Sequence, residues 1–263
     1  YEMTSSLVGS EMCIRDSPES VFESIYRDLY TTYRNQLSSD SRNHKEPKWM
    51  KRLQIIDSTT ITLFSNLLFK GVGRHPKAGK KKGGIKVHTV IHANEGVPSD
   101  IRFTSAATND SFMLKPSNLS KGDIMAMDRA YIDYEKFEQM TQRGVVYVTK
   151  MKKNLKYSIL TDAMYQTPNG LMEVRIQQVT LTKLLKNGET LLHRARIITY
   201  ADEKKHKLVS LLSNDMESDP AEIVAIYRKR WEIELLFKQM KQNFPLKYFY
   251  GESANCLLYT SPS

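Results

Sequence analysis

The chain has 263 residues, of which 40% are hydrophobic and 26% charged, the profile of a folded globular protein rather than a fibrous or disordered one. No apolar run approaches the roughly 18 residues of a membrane span. The formal net charge of +10 points to an anionic partner, nucleic acid first.

In chain order, the first segment is set aside. SLVGSEMCIRDS (6–17) and the closing CLLYTSPS (256–263) can be translated from reverse-complementary DNA, and they resemble a translated sequencing-library adapter. Residues 1–17 and 256–263 are therefore expected to be non-native and to pack on nothing. Both cysteines, Cys13 and Cys256, fall in these ends, so disulfides and thiolate metal sites drop out and a reducing cytoplasm is compatible. Removing Glu2, Glu11 and Asp16 against Arg15 raises the remaining charge from +10 to +12.

PESVFESIYRDLYTTYRNQL (18–37) has helical spacing of Val21, Ile25, Leu29 and Tyr33, and a polar linker follows to about residue 50. RLQIIDSTTITLF (52–64), IKVHTVIHA (85–93) and SDIRFTSA (99–106) read as strands, the last two joined by the turn NEGVP. NDSFMLKPSNL (109–119) opens with a helix-capping pair. DIMAMDRAY (123–131) reads as a buried strand ending in charge, DYEKFEQMTQRG as a helix closed by Gly144, and VVYVTKM as a strand. LMEVRIQQVTLTK, LLHRARIITYA and KLVSLLSN then form a β-rich insert with turns at TPNG and KNGE. DPAEIVAIYRKRWEIELLFKQMKQ (219–242) predicts one long helix, with Asp219 as N-cap and Pro220 in the first turn. The order implies an α/β fold: an antiparallel meander continued by parallel strands, with helices on the sheet. The segments are 18–50 (helical remnant and linker), 51–152 (first part of the core), 153–215 (β-rich insertion) and 216–255 (last helix of the core).

Asp57 and Asp128 each end an apolar, strand-forming run. A buried carboxylate needs a partner or a metal, so either one alone is also what a strand-end cap or salt bridge would give. Glu234 alone reads as an exposed helix acid. Together, two strand acids and one helix acid can converge, and carboxylates without Cys or His nearby suit Mg²⁺ or Mn²⁺. Two such ions can activate a water or a 3′-hydroxyl and stabilise the leaving oxygen of a phosphodiester.

On the last helix Tyr227, Arg230, Glu234 and Lys241 stand at offsets that fall within about 60° of arc. Ile226, Ile233, Phe237 and Met240 lie directly beside them. The apolar arc would pack on the sheet and present the stripe at its rim. Glu234 would then be a metal ligand, Arg230 and Lys241 would hold phosphates, and Tyr227 would meet a phosphate or a base. A core helix with a charged border is the plainer alternative.

Tyr-x2-Arg-x3-Glu-x6-Lys, here Tyr227, Arg230, Glu234 and Lys241, resembles the signature helix of insertion-sequence DDE transposases of the IS-four family. IIDSTTI around Asp57, MDRAY around Asp128 and GRHPKAGKKKGGIKVHTV are similar to that family's aspartate regions and basic segment, and the resemblance runs from about Arg52 to Glu252. It implies a ribonuclease-H-like mixed sheet with flanking helices, interrupted by a β-rich insertion before the last catalytic helix. It further implies cut-and-paste DNA transposition, with Asp57, Asp128 and Glu234 catalytic, transposon-end and target DNA as partners, and a homodimer on paired ends.

The basic run Lys70–Lys86 holds Arg74, Lys80, Lys81, Lys82 and Lys86 without an acid, and is expected to track a phosphate backbone. Arg129 and Tyr131 would flank the site and touch DNA. Trp231 would stack on a displaced base or pack in the core. A zinc site at His88 and His92 lacks further soft ligands, and Asp123, Asp133 and Glu232 read as surface acids. The leading expectation is a metal-dependent DNA transposase acting in the bacterial cytoplasm, nucleoid-associated when bound to DNA. A ribonuclease-H-fold nuclease without strand transfer and a non-catalytic DNA-binding remnant stand as alternatives.

Overall fold

The computed structural model describes residues 19–37, 47–62, 84–166, 173–202 and 206–243. The first element is helix α1 (Glu19–Leu37), followed by strands β1 (Leu53–Thr62), β2 (Gly84–His92), β3 (Pro98–Ser105) and β4 (Ile124–Met127). Helix α2 (Tyr134–Gln142) leads to β5 (Val146–Lys150), β6 (Tyr157–Gln166), β7 (Glu173–Leu184), β8 (Thr190–Asp202) and β9 (Lys207–Ser213). Helices α3 (Pro220–Lys229) and α4 (Trp231–Asn243) close the described chain.

The nine strands of the described residues form one mixed sheet, in the order β3-β2-β1-β4-β5-β9-β8-β7-β6. The antiparallel meander β1–β3 and the parallel pairs β1–β4 and β4–β5 appear as the element order implied. The β-rich insert is continuous with this sheet, because β9 pairs antiparallel with β5. Side-chain alternation along each strand gives the sheet two apolar faces. One carries Leu53, Ile55, Ile124, Ala126, Val148 and Leu211 under Ile223, Val224, Ile226, Ile233 and Phe237 of α3 and α4. The other carries Ile56, Met125, Met127, Tyr147 and Leu212 against Phe137 and Met140 of α2. The result is a layered α/β architecture in which the face of every strand residue near the site follows from its parity.

Two readings need correction, one strand was not foreseen, and one helix packs in an unexpected way. Residues 109–119 form two short 3₁₀ turns, Asp110–Met113 and Pro116–Asn118, rather than a helix. Pro116 has no N–H to give a helix and holds Lys115 in extended backbone. The long helix is broken at Arg230, whose N–H turns back to the Tyr227 carbonyl at 3.1 Å. Strand β6 has no recognised pattern in sequence because nearly every residue in it is exposed on both faces. Helix α1 forms as expected, but Val21, Ile25, Leu29 and Tyr33 face solvent. It meets the sheet through polar contacts instead: Tyr30 donates to Glu95, Arg34 approaches the same carboxylate at 3.4 Å, and Tyr26 donates to the Pro98 carbonyl. The adapter-like ends, 6–17 and 256–263, lie outside the described residues.

Candidate active site

Asp57 and Asp128 reach the same place by strand register. Ile56 pairs with Met127 across the parallel β1–β4 ladder. Asp57 and Asp128 are each the next residue, at corresponding positions of neighbouring strands about 4.8 Å apart. Asp57 shares the face of Leu53 and Ile55, and Asp128 that of Ile124 and Ala126, so both point to the α3–α4 layer. Asp57 Oδ1 accepts the Ser58 N–H at 2.8 Å. Asp128 caps the turn Arg129–Tyr131, its Oδ2 accepting the Ala130 N–H at 3.0 Å.

The last helix supplies the third acid and a cation. Ile233 and Phe237 bury one side of α4 in the core and set Glu234 beside the strand ends. Arg230 Nη1 donates to Asp57 Oδ2 at 2.8 Å, and Nη2 donates to Glu234 Oε1. A single guanidinium therefore joins a β1 acid to an α4 acid, with Asp57 15% and Glu234 33% exposed. Burial pushes the Asp57 carboxyl up to about 6; the Ser58 N–H and Arg230 oppose the rise, and the Asp128 and Glu234 carboxylates add to it. Asp128 and Glu234 thus both act on Asp57 electrostatically. Burial pulls the Arg230 guanidinium down, but Tyr227, Glu234 and Asp57 together outweigh it and leave Arg230 above its ordinary value. The Tyr227 ring lies 5.6 Å from the guanidinium carbon.

The remaining expected residues divide. Arg129, in the turn after Asp128, and Lys241, in the last turn of α4, are exposed. Trp231 is 55% exposed at the start of α4, which rules out the core-packing alternative. Two DNA-contact expectations fail. Tyr131 is fully buried, packed on the opposite face of the sheet with its hydroxyl 3.4 Å from His88 Nδ1, because the turn after Asp128 directs it inward. Lys86 is only 12% exposed: it donates to the Thr108 carbonyl at 2.7 Å and pairs with Asp110 at 3.2 Å. Arg74, Lys80, Lys81 and Lys82 lie outside the described residues.

Asp110 is an acid that sequence reading overlooked. It accepts from Ser58 Oγ at 2.7 Å, directly after Asp57 but on the other face. Only its place in an N-cap-like Asn-Asp pair hinted at order there. His88 Nε2 lies 2.8 Å from Thr104 Oγ1, so this ring serves a buried network. Asp123 accepts the Ser120 N–H, Asp133 caps α2 and Glu232 pairs with Lys229 at 2.7 Å.

Among the described residues, no three His, Cys, Asp or Glu side chains stand close enough as placed to hold a metal ion. Asp57 and Glu234 instead share a cation from the protein itself. The oxygen-donor character of Asp57, Asp128 and Glu234, and the cation that Asp57 and Glu234 already share, fit a hard divalent cation.

Comparison with known proteins follows the same direction. The chain is 26% identical over 218 residues to a candidate transposase, y4zB, of Sinorhizobium fredii, covering 83% of this chain and 59% of that protein. It is 24% identical over 242 residues to a candidate transposase for insertion sequence element IS4SA of Synechocystis, covering 89% and 62%. It is 23% identical over 261 residues to the transposase for insertion sequence element IS231F of Bacillus thuringiensis subsp. israelensis, covering 80% and 54%. The chain thus spans about half to three-fifths of the length of these relatives. Residues 48–254 match the family described as Transposase DDE domain, a match that takes in all three acids, and the chain belongs to that family.

Proposed function

We propose that this chain carries the catalytic centre of an insertion-sequence transposase that cuts double-stranded DNA and transfers strands, with Asp57, Asp128 and Glu234 as its acids. The observation that carries the reading is the Asp57–Arg230–Glu234 bridge, set beside Asp128 by the β1–β4 register. The antiparallel meander continued by two parallel strands, with acids at neighbouring strand ends, supports a ribonuclease-H-like core at 51–152 and 216–255. Residues 153–215 are then an insertion that lengthens the same sheet.

The three carboxylates would hold Mg²⁺ or Mn²⁺, as two ions. Bound there, such ions supply Lewis acidity to the attacking and leaving oxygens of an in-line displacement. The protein's own part is positioning. Arg230 and Lys241 hold phosphate oxygens, Tyr227 supports Arg230 through its ring face, and exposed Arg129 and Trp231 meet backbone and base. Lys80, Lys81, Lys82 and Arg74 add sequence-independent attraction to the duplex. Water opens a phosphodiester at the transposon end and leaves a 3′-hydroxyl. That hydroxyl then attacks the opposite strand or target DNA. A homodimer would bring two ends together. Among the described residues no helix is long and apolar enough to cross a membrane, and the proposed place of action is the bacterial cytoplasm, at the nucleoid.

Glu234→Gln tests the reading. It keeps shape and helix propensity but removes one ligand charge. Cleavage of a labelled duplex with Mg²⁺ should fall on the order of 10³-fold, while duplex binding survives. Unimpaired cutting would remove Glu234 from the site.

A further inference from the structure

The Arg230 guanidinium stands where a cation shared by Asp57 and Glu234 would stand. It donates from Nη1 to Asp57 and from Nη2 to Glu234. The side chain is 13% exposed, and its Nε is buried without a hydrogen-bond partner. A buried, unpaired N–H on a charged group costs free energy until an acceptor reaches it. Arg230 is also the residue at the break between α3 and α4. The Tyr227 ring lies close enough to support the guanidinium when it leaves a carboxylate.

We propose that Arg230 is an internal counter-ion, which holds divalent cations off Asp57 and Glu234 until a DNA phosphate draws the guanidinium away. The inference rests on the metal-site reading above. In the DNA-free chain an incoming cation must displace a fork that satisfies two carboxylates at once. A phosphate offers that fork an alternative: it can accept from two N–H groups together, including the Nε that has no partner now. Phosphate binding therefore frees the carboxylates, and cation binding frees the guanidinium. Each ligand favours the other, and the coupling is reciprocal. The same arginine is thus phosphate clamp and metal guard, in alternation.

Mn²⁺ binding to the 263-residue chain, followed by the spectroscopic signal of free Mn²⁺, tests this without any measure of activity. Arg230→Gln should bind Mn²⁺ more tightly than the parent, by a factor within the roughly 5–150-fold span of site-to-site coupling. A short DNA duplex should tighten Mn²⁺ binding to the parent and leave Arg230→Gln unchanged, once the Mn²⁺ held by Asp57→Asn with the same duplex is subtracted. Arg230→Lys, a point charge that cannot bridge both acids as a fork, should fall between. It also carries the test if Arg230→Gln does not fold, as judged by circular dichroism. Glu232→Gln, whose carboxylate pairs with Lys229, should match the parent. Equal Mn²⁺ affinity in parent, Arg230→Gln and Arg230→Lys, lost in Asp57→Asn, would overturn the counter-ion and leave the metal reading standing. Mn²⁺ binding that Asp57→Asn does not weaken would overturn both.

Discussion

Two buried polar clusters sit on opposite faces of one sheet, and they are finished to different degrees. On the α2 face, His193 is fully buried between Tyr147 and Glu138, with Nε2 2.8 Å from the Tyr147 hydroxyl and Nδ1 2.8 Å from the Glu138 carboxylate. Burial lowers the imidazole's affinity for a proton, and Glu138 only partly restores it. The neutral ring then donates from Nδ1 to Glu138 and accepts the Tyr147 O–H at Nε2, and both ring nitrogens are satisfied. Phe137 stacks on Tyr147 at 3.9 Å and seals the cluster. On the α3–α4 face, two acids, Asp57 and Glu234, share one guanidinium, and that guanidinium still has an unpaired buried N–H. A closed network holds a fold together. A cluster left short of positive charge and of acceptors is where the proposed cation and phosphate would supply them.

Stability measurements can sharpen or break this contrast. The largest effect should come from His193→Ala, which empties a packed site and strands both Tyr147 and Glu138. It should cost about 4 kcal/mol in denaturant unfolding. A cost near zero would mean the network is ornamental to the fold.

Asp57→Asn should act in the opposite sense. The folded protein raises this carboxyl from 3.8 to about 6, so ionising it works against folding. Its contribution is fully favourable below the unfolded value and is lost as pH rises through about 6. At pH 8 the variant should be more stable than the parent by up to about 3 kcal/mol, with the gap closing toward pH 4. His193 has the reverse sign: its folded pKa is depressed, so its contribution is present above the unfolded value of 6.5 and fades as pH falls through the folded one. Urea midpoints from pH 4 to pH 8 for the parent, Asp57→Asn and His193→Ala would separate the two. An Asp57→Asn curve parallel to that of the parent would remove the electrostatic strain assigned to the site.

Tyr147→Phe should cost less, about 1–2 kcal/mol, since the ring stays and one buried hydrogen bond goes. Glu232→Gln should be the smallest, within about 0.5 kcal/mol, because its pair with Lys229 is partly exposed. A Glu232→Gln effect as large as that of Tyr147→Phe would undo the ranking by burial.

Each strand acid alone also read as a strand-end cap or salt bridge; what the element order made legible was the parallel β1–β4 pairing that puts their strand ends side by side. The stripe singled out Glu234 and Arg230 together, and the two are bonded. The direction of Arg230 was not legible: a helical wheel places it at a rim, whereas its guanidinium bonds inward to Asp57 and Glu234. Tyr131 and Lys86 were misread because local sequence cannot show what a side chain meets across the sheet. Lys86 meets Asp110, supplied by a turn after β3, and Tyr131 meets the buried His88. The extent of the sheet was hidden for the same reason, since the β5–β9 pairing joins segments far apart in the chain.

That long sheet has a physical consequence at its end. Strand β6 is the last in the order, and Ile159, Leu160 and Met164 on it are exposed. Its outer backbone groups have no strand partner among the described residues, and such a rim is a template for another chain's strand. Mutual repulsion between molecules of net charge +10 opposes that contact. Salt shortens the reach of the repulsion, to about 3 Å at 1 M, and leaves the apolar rim as adhesive as before. The high-salt buffers that strip DNA from a basic protein are therefore the conditions in which this one should clump, and a lysine at Leu160 is the change that should keep it in solution.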